Sequence, residues 1–216
     1  MHFQFLIEDL SGETLIKMIM QNLQKEHPEI TADYKSFHGI GGFTLRETIR
    51  ETKTGKLLND LAIYLRGFNR SLQNFPAALF VVVDNDDRNP EEFKMQMQRI
   101  AEQNQITIDH VFCLAIEEME AWLLGDEEAL LKAYPKARKS VYESYMQDSI
   151  CGTWEKMADI IYLGGSKKMK KENPSYAGIG KIKNEWAQNI GKEMNLNQNA
   201  SPSFNCFLSE ITKRVR

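Results

Sequence analysis

The apolar run Phe80-Val81-Val82-Val83 stops abruptly at Asp84-Asn85-Asp86-Asp87. A continuous β-branched run bounded by polar residues is the pattern of a parallel strand covered on both faces. In open α/β sheets, ligands bind outside the carboxyl ends of such strands. Side chains two apart on an extended segment point the same way, so Asp84 and Asp86 are candidates to converge on one hard cation such as Mg²⁺ or Mn²⁺, which take oxygen ligands. Two further apolar segments also end on acids. His2 to Ile7 runs into Glu8-Asp9, and Asp109 to Ile116 runs into Glu117, Glu118 and Glu120. If these strands lie parallel, their ends share one sheet edge, and Glu8, Asp84, Asp86, Glu117 and Glu120 gather into one acidic pocket. Crowded carboxylates are costly without a cation, so the pattern points to a metal site. Taken singly, each acid reads more simply as a helix cap, and the joint placement carries the inference. Asp87 reads as a cap or turn residue and Glu118 as solvent-facing.

The elements that must position these acids follow from hydrophobic spacing. After Ser11-Gly12-Glu13, residues Leu15, Ile16, Ile19, Met20 and Leu23 recur at helical intervals up to His27-Pro28. Tyr34 to His38 is a weaker strand candidate, followed by the loop His38-Gly39-Ile40-Gly41-Gly42. Leu57, Leu58, Leu61, Leu65 and Phe68 mark a helix from near Lys56 to Leu72, and Ala78 to Val83 is the central strand. Asn89-Pro90-Glu91-Glu92 is a helix start, with proline in the first turn and acids at the positive end. Strands alternating with helices predict an α/β fold: a mainly parallel, Rossmann-like sheet flanked by helices. Beyond Trp122 the pattern turns helical. Asp126 caps a helix ending near Tyr134, and Ser140 to Gln147, Trp154 to Tyr162 and a last stretch opened by Ser201-Pro202 continue it. Residues 1–125 therefore read as the α/β core and 126–216 as a helical region packed on it. Gly164 to Lys171 reads as a loop, and Gly178-Ile179-Gly180 as a turn.

Composition is that of an ordinary globular protein, 42% hydrophobic and 26% charged with 6 prolines. No apolar run approaches a membrane span, and the first residues lack a basic leader, so a cytoplasmic location is expected. Cys113, Cys151 and Cys206 are widely spaced without a paired motif, which fits reduced buried thiols better than a zinc or disulfide framework. The net charge of -3 conceals an asymmetry: from Gly164 onward there are 10 Lys and Arg against 4 Asp and Glu, leaving 17 against 26 before it. That balance is compatible with a metal-dependent core beside a phosphate-attracting surface, and equally with two solvated faces.

Glu8 at the end of the first strand and Asp84-x-Asp86 at the end of a later one resemble the TOPRIM domain of topoisomerases, primases and OLD-family nucleases. A closer likeness is carried by Phe5-Leu6-Ile7-Glu8-Asp9-x-Ser11-Gly12-Glu13, Ile116-Glu117-Glu118-Met119-Glu120-Ala121-Trp122-Leu123-Leu124-Gly125-Asp126 and Ser201-Pro202-Ser203-Phe204. They are most similar to a bacterial domain-of-unknown-function family of TOPRIM-like proteins, over most of the chain. The resemblance implies a TOPRIM-like fold with Glu8 assisting proton transfer or holding metal, and Asp84 and Asp86 as the metal pair. It also implies Glu13 as a second acid, although Asp9 replaces the usual glycine after the first glutamate and the spacing to Glu13 is one residue longer. The implied chemistry is Mg²⁺-dependent phosphodiester cleavage of DNA or RNA, in phage or mobile-element defence with an ATPase partner protein.

Two metal ions held by clustered carboxylates suit an in-line displacement at phosphorus. A lysine beside them would neutralise developing charge, for which Lys181 and Lys183, after the Gly178-Ile179-Gly180 turn, are the candidates. Lys167, Lys168, Lys170, Lys171 and Lys183 are candidates for nucleic-acid phosphates. Other readings stand beside this one: a non-catalytic partner protein that docks through its helical part, or a metal-dependent phosphohydrolase acting on a small phosphoester. The glycine loop after His38 lacks the Lys-Ser/Thr ending of a phosphate-binding loop, His38 receives no role, and Trp122, Leu123 and Leu124 read as core.

Overall fold

The computed structural model describes residues 1–43, 54–149 and 152–215. In chain order the elements are β1 (His2–Ile7), α1 (Leu10–Glu26), β2 (Thr31–Ser36), α2 (Leu57–Leu72), β3 (Ala77–Asp84), α3 (Pro90–Gln103) and β4 (Asp109–Ala115). The helical remainder comprises α4 (Glu120–Leu124), α5 (Glu127–Ala133), α6 (Lys139–Tyr142), α7 (Thr153–Ile161), α8 (Gly165–Glu172), α9 (Tyr176–Gly191) and α10 (Pro202–Thr212).

The four strands form one all-parallel sheet in the order β2-β1-β3-β4. This is the α/β architecture expected from the alternating strands and helices. The chain runs from β1 outward to β2, then returns to the other side of β1 to lay down β3. The carboxyl ends of β1 and β3 therefore flank the point where the winding reverses, which is where doubly wound sheets open a ligand crevice.

Both sheet faces are covered, which explains why β3 shows no polar alternation. Phe3, Phe5, Ile7, Phe80 and Val82 share one core with α1, α4, α9 and α10, whereas Leu6, Leu79, Val81 and Val83 share another with α2 and α3. Trp122 is fully buried in the first core, stacks on Phe207 with ring centroids 4.8 Å apart, and donates its indole N–H to Ser203 Oγ at 2.9 Å. The C-terminal helices thus share a core with the sheet. The caps read from sequence are present: the Asn89 side chain accepts from the Glu91 and Glu92 N–H groups, Asp126 from Ala129, and Ser201 from Phe204.

Several local expectations are corrected. β2 starts at Thr31, earlier than expected, and as a half-covered edge strand it carries few apolar residues. Ser140 to Gln147 contains only the single turn α6. The lysine-rich stretch expected as a loop is the helix α8, started by Gly164 at φ +94° and anchored by buried Met169. The expected turn at Gly178-Ile179-Gly180 lies inside α9, where Ser175 Oγ caps Gly178 N–H at 3.1 Å. Packing on α1 overrides the low helix propensity of those glycines: Thr14 Oγ1 donates to Asn184 Oδ1 at 2.5 Å, and a Cβ on Gly191 would already lie 3.3 Å from Leu15 and Met18. Of the cysteines, Cys113 is buried but Cys206 is exposed, and Cys151 lies outside the described residues. Among the described residues no helix is long and apolar enough to cross a membrane.

Candidate functional site

The β1 and β3 ends are locked together by their own acids. Glu8 Oε2 accepts the Asp84 backbone N–H at 3.2 Å, and Asp84 Oδ1 accepts the Met119 N–H at 2.9 Å, so one chain of hydrogen bonds links the residue after β1, the last residue of β3 and the segment after β4. Tight packing supports this edge. A Cβ on Gly12 would lie 2.9 Å from Ile7 Cγ2, so only glycine lets the first turn of α1 settle so closely over the end of β1. Asp9 caps that turn, accepting from Gly12 N–H at 2.8 Å and from Ser11 Oγ.

The electrostatics of the pocket are those of too many carboxylates for the cations present. Burial pushes the Glu8 carboxyl up to about 7, the Asp84 N–H opposes the rise, and the neighbouring charges of Asp9 and Asp86 add to it. Burial and then Glu8 hold Asp84 well above its ordinary range. Glu120 is also raised by burial, with Lys183 opposing. Lys183 enters from α9 with only 14% of its side chain exposed, and its Nζ lies 3.1 Å from Oε2 of Glu120, which is 2% exposed. Burial disfavours the ammonium, but Glu120 first and then Asp84, Glu118 and Asp9 outweigh it and hold Lys183 above the usual lysine range. A buried charge persists only when paired, and here several acids share one partner.

Not every acid predicted from the sequence joins this group. β3 ends at Asp84, and Asp86 sits in the following turn at φ +50°, so the extended-strand argument for aiming both aspartates alike does not hold. Asp86 Oδ2 instead takes Arg88 Nη1 at 2.6 Å, although its charge is still felt at Glu8. Glu117 adopts φ +69°, which turns its buried side chain toward α7, where it accepts the Thr153 hydroxyl. Glu13 pairs with Lys17 one helical turn on, and despite some burial the hydrogen bonds from Lys17 and Ser36 keep its carboxyl low. Lys181 is exposed on α9, and Lys167, Lys168, Lys170 and Lys171 are exposed on α8, with Lys168 paired to Glu172 and Lys170 to Glu155. Of the two lysines named as candidates to sit beside the acids, Lys183 is the cation of the acidic group and Lys181 is not, so Lys183 does not belong with the exposed lysines of α8.

Two participants escaped the reading of the sequence. Asp9, which the sequence marks only as standing in place of a glycine after Glu8, caps α1, and its charge reaches Glu8, Asp84, Glu120 and Lys183. Glu118, expected to face solvent, is partly buried, accepts the Trp154 N–H at 2.8 Å, and is pushed up to about 7 by burial and by Glu120. Its place after a buried strand, between Glu117 and Glu120, was the available signal. Among the described residues no group of three or more His, Cys, Asp and Glu side chains stands in a ready-made metal-holding arrangement. No protein-family model, curated protein or solved structure matches the chain.

Proposed function

We propose that the protein is a Mg²⁺- or Mn²⁺-dependent hydrolase of nucleic-acid phosphodiesters, working at the crevice between the carboxyl ends of β1 and β3. The observation that carries this reading is the convergence of Glu8 and Asp84, 76 positions apart, with both carboxyls raised first by burial, Glu8 further by Asp9 and Asp86 and Asp84 further by Glu8. The donor set fits a hard cation: it is all oxygen, it is crowded, and its negative charge exceeds what Lys183 neutralises. Mg²⁺ retains several waters and needs only one or two carboxylates together with substrate phosphate, so Glu8 and Asp84 suffice as protein ligands, with Asp86 at the rim. The metal would activate water and stabilise the leaving oxygen of an in-line displacement.

The chain's own residues supply the remainder. Glu8 would either hold the metal beside Asp84 or, left free of it, accept a proton from an attacking water. Lys183, held charged by Glu120, places a fixed positive group where phosphate charge develops. Met119 N–H and Gly12, through the tight first turn of α1, hold Asp84 and Asp9 in position. The test is cleavage of labelled single- and double-stranded DNA and RNA with Mg²⁺, Mn²⁺ or EDTA. Cleavage that EDTA stops and that Asp84→Asn lowers by about a hundredfold or more is the expected result. Asp84→Asn keeps an acceptor for Met119 N–H, so its folded state should persist. Hydrolysis of a small phosphomonoester with every nucleic acid left intact would replace this reading with that of a phosphohydrolase.

A further inference from the structure

The α9 helix carries one feature that the acidic pocket leaves unexplained. Tyr176, its first residue, is 97% exposed. Residues seven apart on an α-helix differ by only about 20° around the axis, so Tyr176 shares a stripe with Lys183, and that stripe continues into buried Ala187 and Ile190. Gly180 lies on the same side between them, and a Cβ built there would meet nothing within 4 Å. One face of α9 is therefore packed from Lys183 onward and open from Gly180 back to Tyr176. The helix is fixed to α1 at Asn184 and Gly191, and its first two turns run from Lys183, the cation of the pocket, out to Tyr176.

The open face has the composition of a strand-binding surface. It presents an aromatic ring at its outer end and a bare backbone in the middle, and it ends at Lys183, whose amine turns into the pocket against Glu120. The Cα atoms of Tyr176 and Lys183 are separated along the axis by about 10 Å, roughly the rise of three stacked nucleotides. Lys167, Lys171 and Lys181 are exposed on the same two consecutive helices, without ion pairs among the described residues. Aromatic platforms beside basic residues bind single strands, because an unpaired base offers its face to the ring whereas a base inside a duplex does not.

We propose that this face of α9 guides a single-stranded nucleic acid to the pocket, with a base stacked on Tyr176, the sugar-phosphate chain passing over Gly180 and a phosphate reaching Lys183. The inference deepens the hydrolase reading by naming its substrate as single-stranded, and it rests on that reading only for what happens at the pocket. Binding is therefore measured in EDTA, by fluorescence anisotropy of labelled single-stranded DNA, single-stranded RNA and blunt duplex. The expected result is a preference for single strands, weakened about tenfold by Tyr176→Ala and retained by Tyr176→Phe. Gly180→Leu, whose side chain enters open space and improves helix propensity, should weaken binding while the circular dichroism spectrum stays unchanged. Duplex bound as tightly as single strand, or single-strand affinity indifferent to both Tyr176→Ala and Gly180→Leu, overturns the inference even if Mg²⁺-dependent cleavage is found. The expected binding pattern in a protein that cleaves nothing with Mg²⁺ or Mn²⁺ leaves this inference standing and removes the hydrolase reading instead.

Discussion

Lys183 and Glu120 form the pair on which the pocket's charge balance turns. Their side chains are 14% and 2% exposed and 3.1 Å apart, so neither charge can be met by water if the other is removed. Breaking a buried pair from one side costs about 3 kcal/mol or more, whereas replacing both partners by apolar groups is often close to neutral. Lys183→Met is accordingly expected to lower unfolding stability in urea by about 3 kcal/mol. Adding Glu120→Leu should recover most of that loss, a coupling that a double-mutant cycle reads directly. If Lys183 also serves phosphate chemistry, the double variant regains stability and stays inactive. Recovery of both properties together would confine Lys183 to a structural role.

At the scale of elements, the contact between α1 and β1 sets the geometry of the crevice. A Cβ on Gly12 would meet Ile7 Cγ2 at 2.9 Å and the Asp9 carboxylate at 3.4 Å. Ile7 is fully packed, so the helix must move instead. Overpacking of this kind costs about 1–3 kcal/mol, and Gly12→Ala should both destabilise the protein by that amount and weaken Mg²⁺ binding measured by calorimetry. Loss of stability with unchanged Mg²⁺ affinity would show that the first turn of α1 does not position the acids. Legibility in the sequence followed packing in the same way. The core strands and α3 were readable because continuous apolar runs and the Asn89-Pro90 cap are local signals, and the meeting of Glu8 with Asp84 followed from parallel strands sharing an edge. Glu117 was misplaced because a positive φ, which no local pattern announces, turns its side chain away. α8 and the start of α9 were missed because lysines and glycines dominate them and tertiary contacts at Met169, Asn184 and Gly191 supply their stability. Lys183 could be told from Lys181 as the pocket's lysine only once both stand on the helix α9.

At the scale of the whole molecule, the raised carboxyls link folding to pH. Glu8 rises from 4.5 to about 7, and Asp84, Glu118 and Glu120 shift in the same direction. The folded protein therefore retains protons that the unfolded chain releases, so stability from these groups is complete below about pH 4.5 and is lost as pH rises through the folded values. Between pH 6 and 8 Glu8 alone accounts for a loss of about 1 kcal/mol, equivalent to a fall in Tm of roughly 2–4 °C for a chain of this size. Glu8→Gln, which stays neutral, should flatten that part of the curve. A divalent cation favours the ionised carboxylates and so releases the same protons on binding. Mg²⁺ in excess should then raise Tm more at pH 8 than at pH 6, by mass action on the folded state. A Tm that does not fall between these pH values in the metal-free protein would contradict the crowded pocket itself. A normal fall with no stabilisation by Mg²⁺ or Mn²⁺ at pH 8 would leave the pocket intact and exclude a divalent cation as its partner.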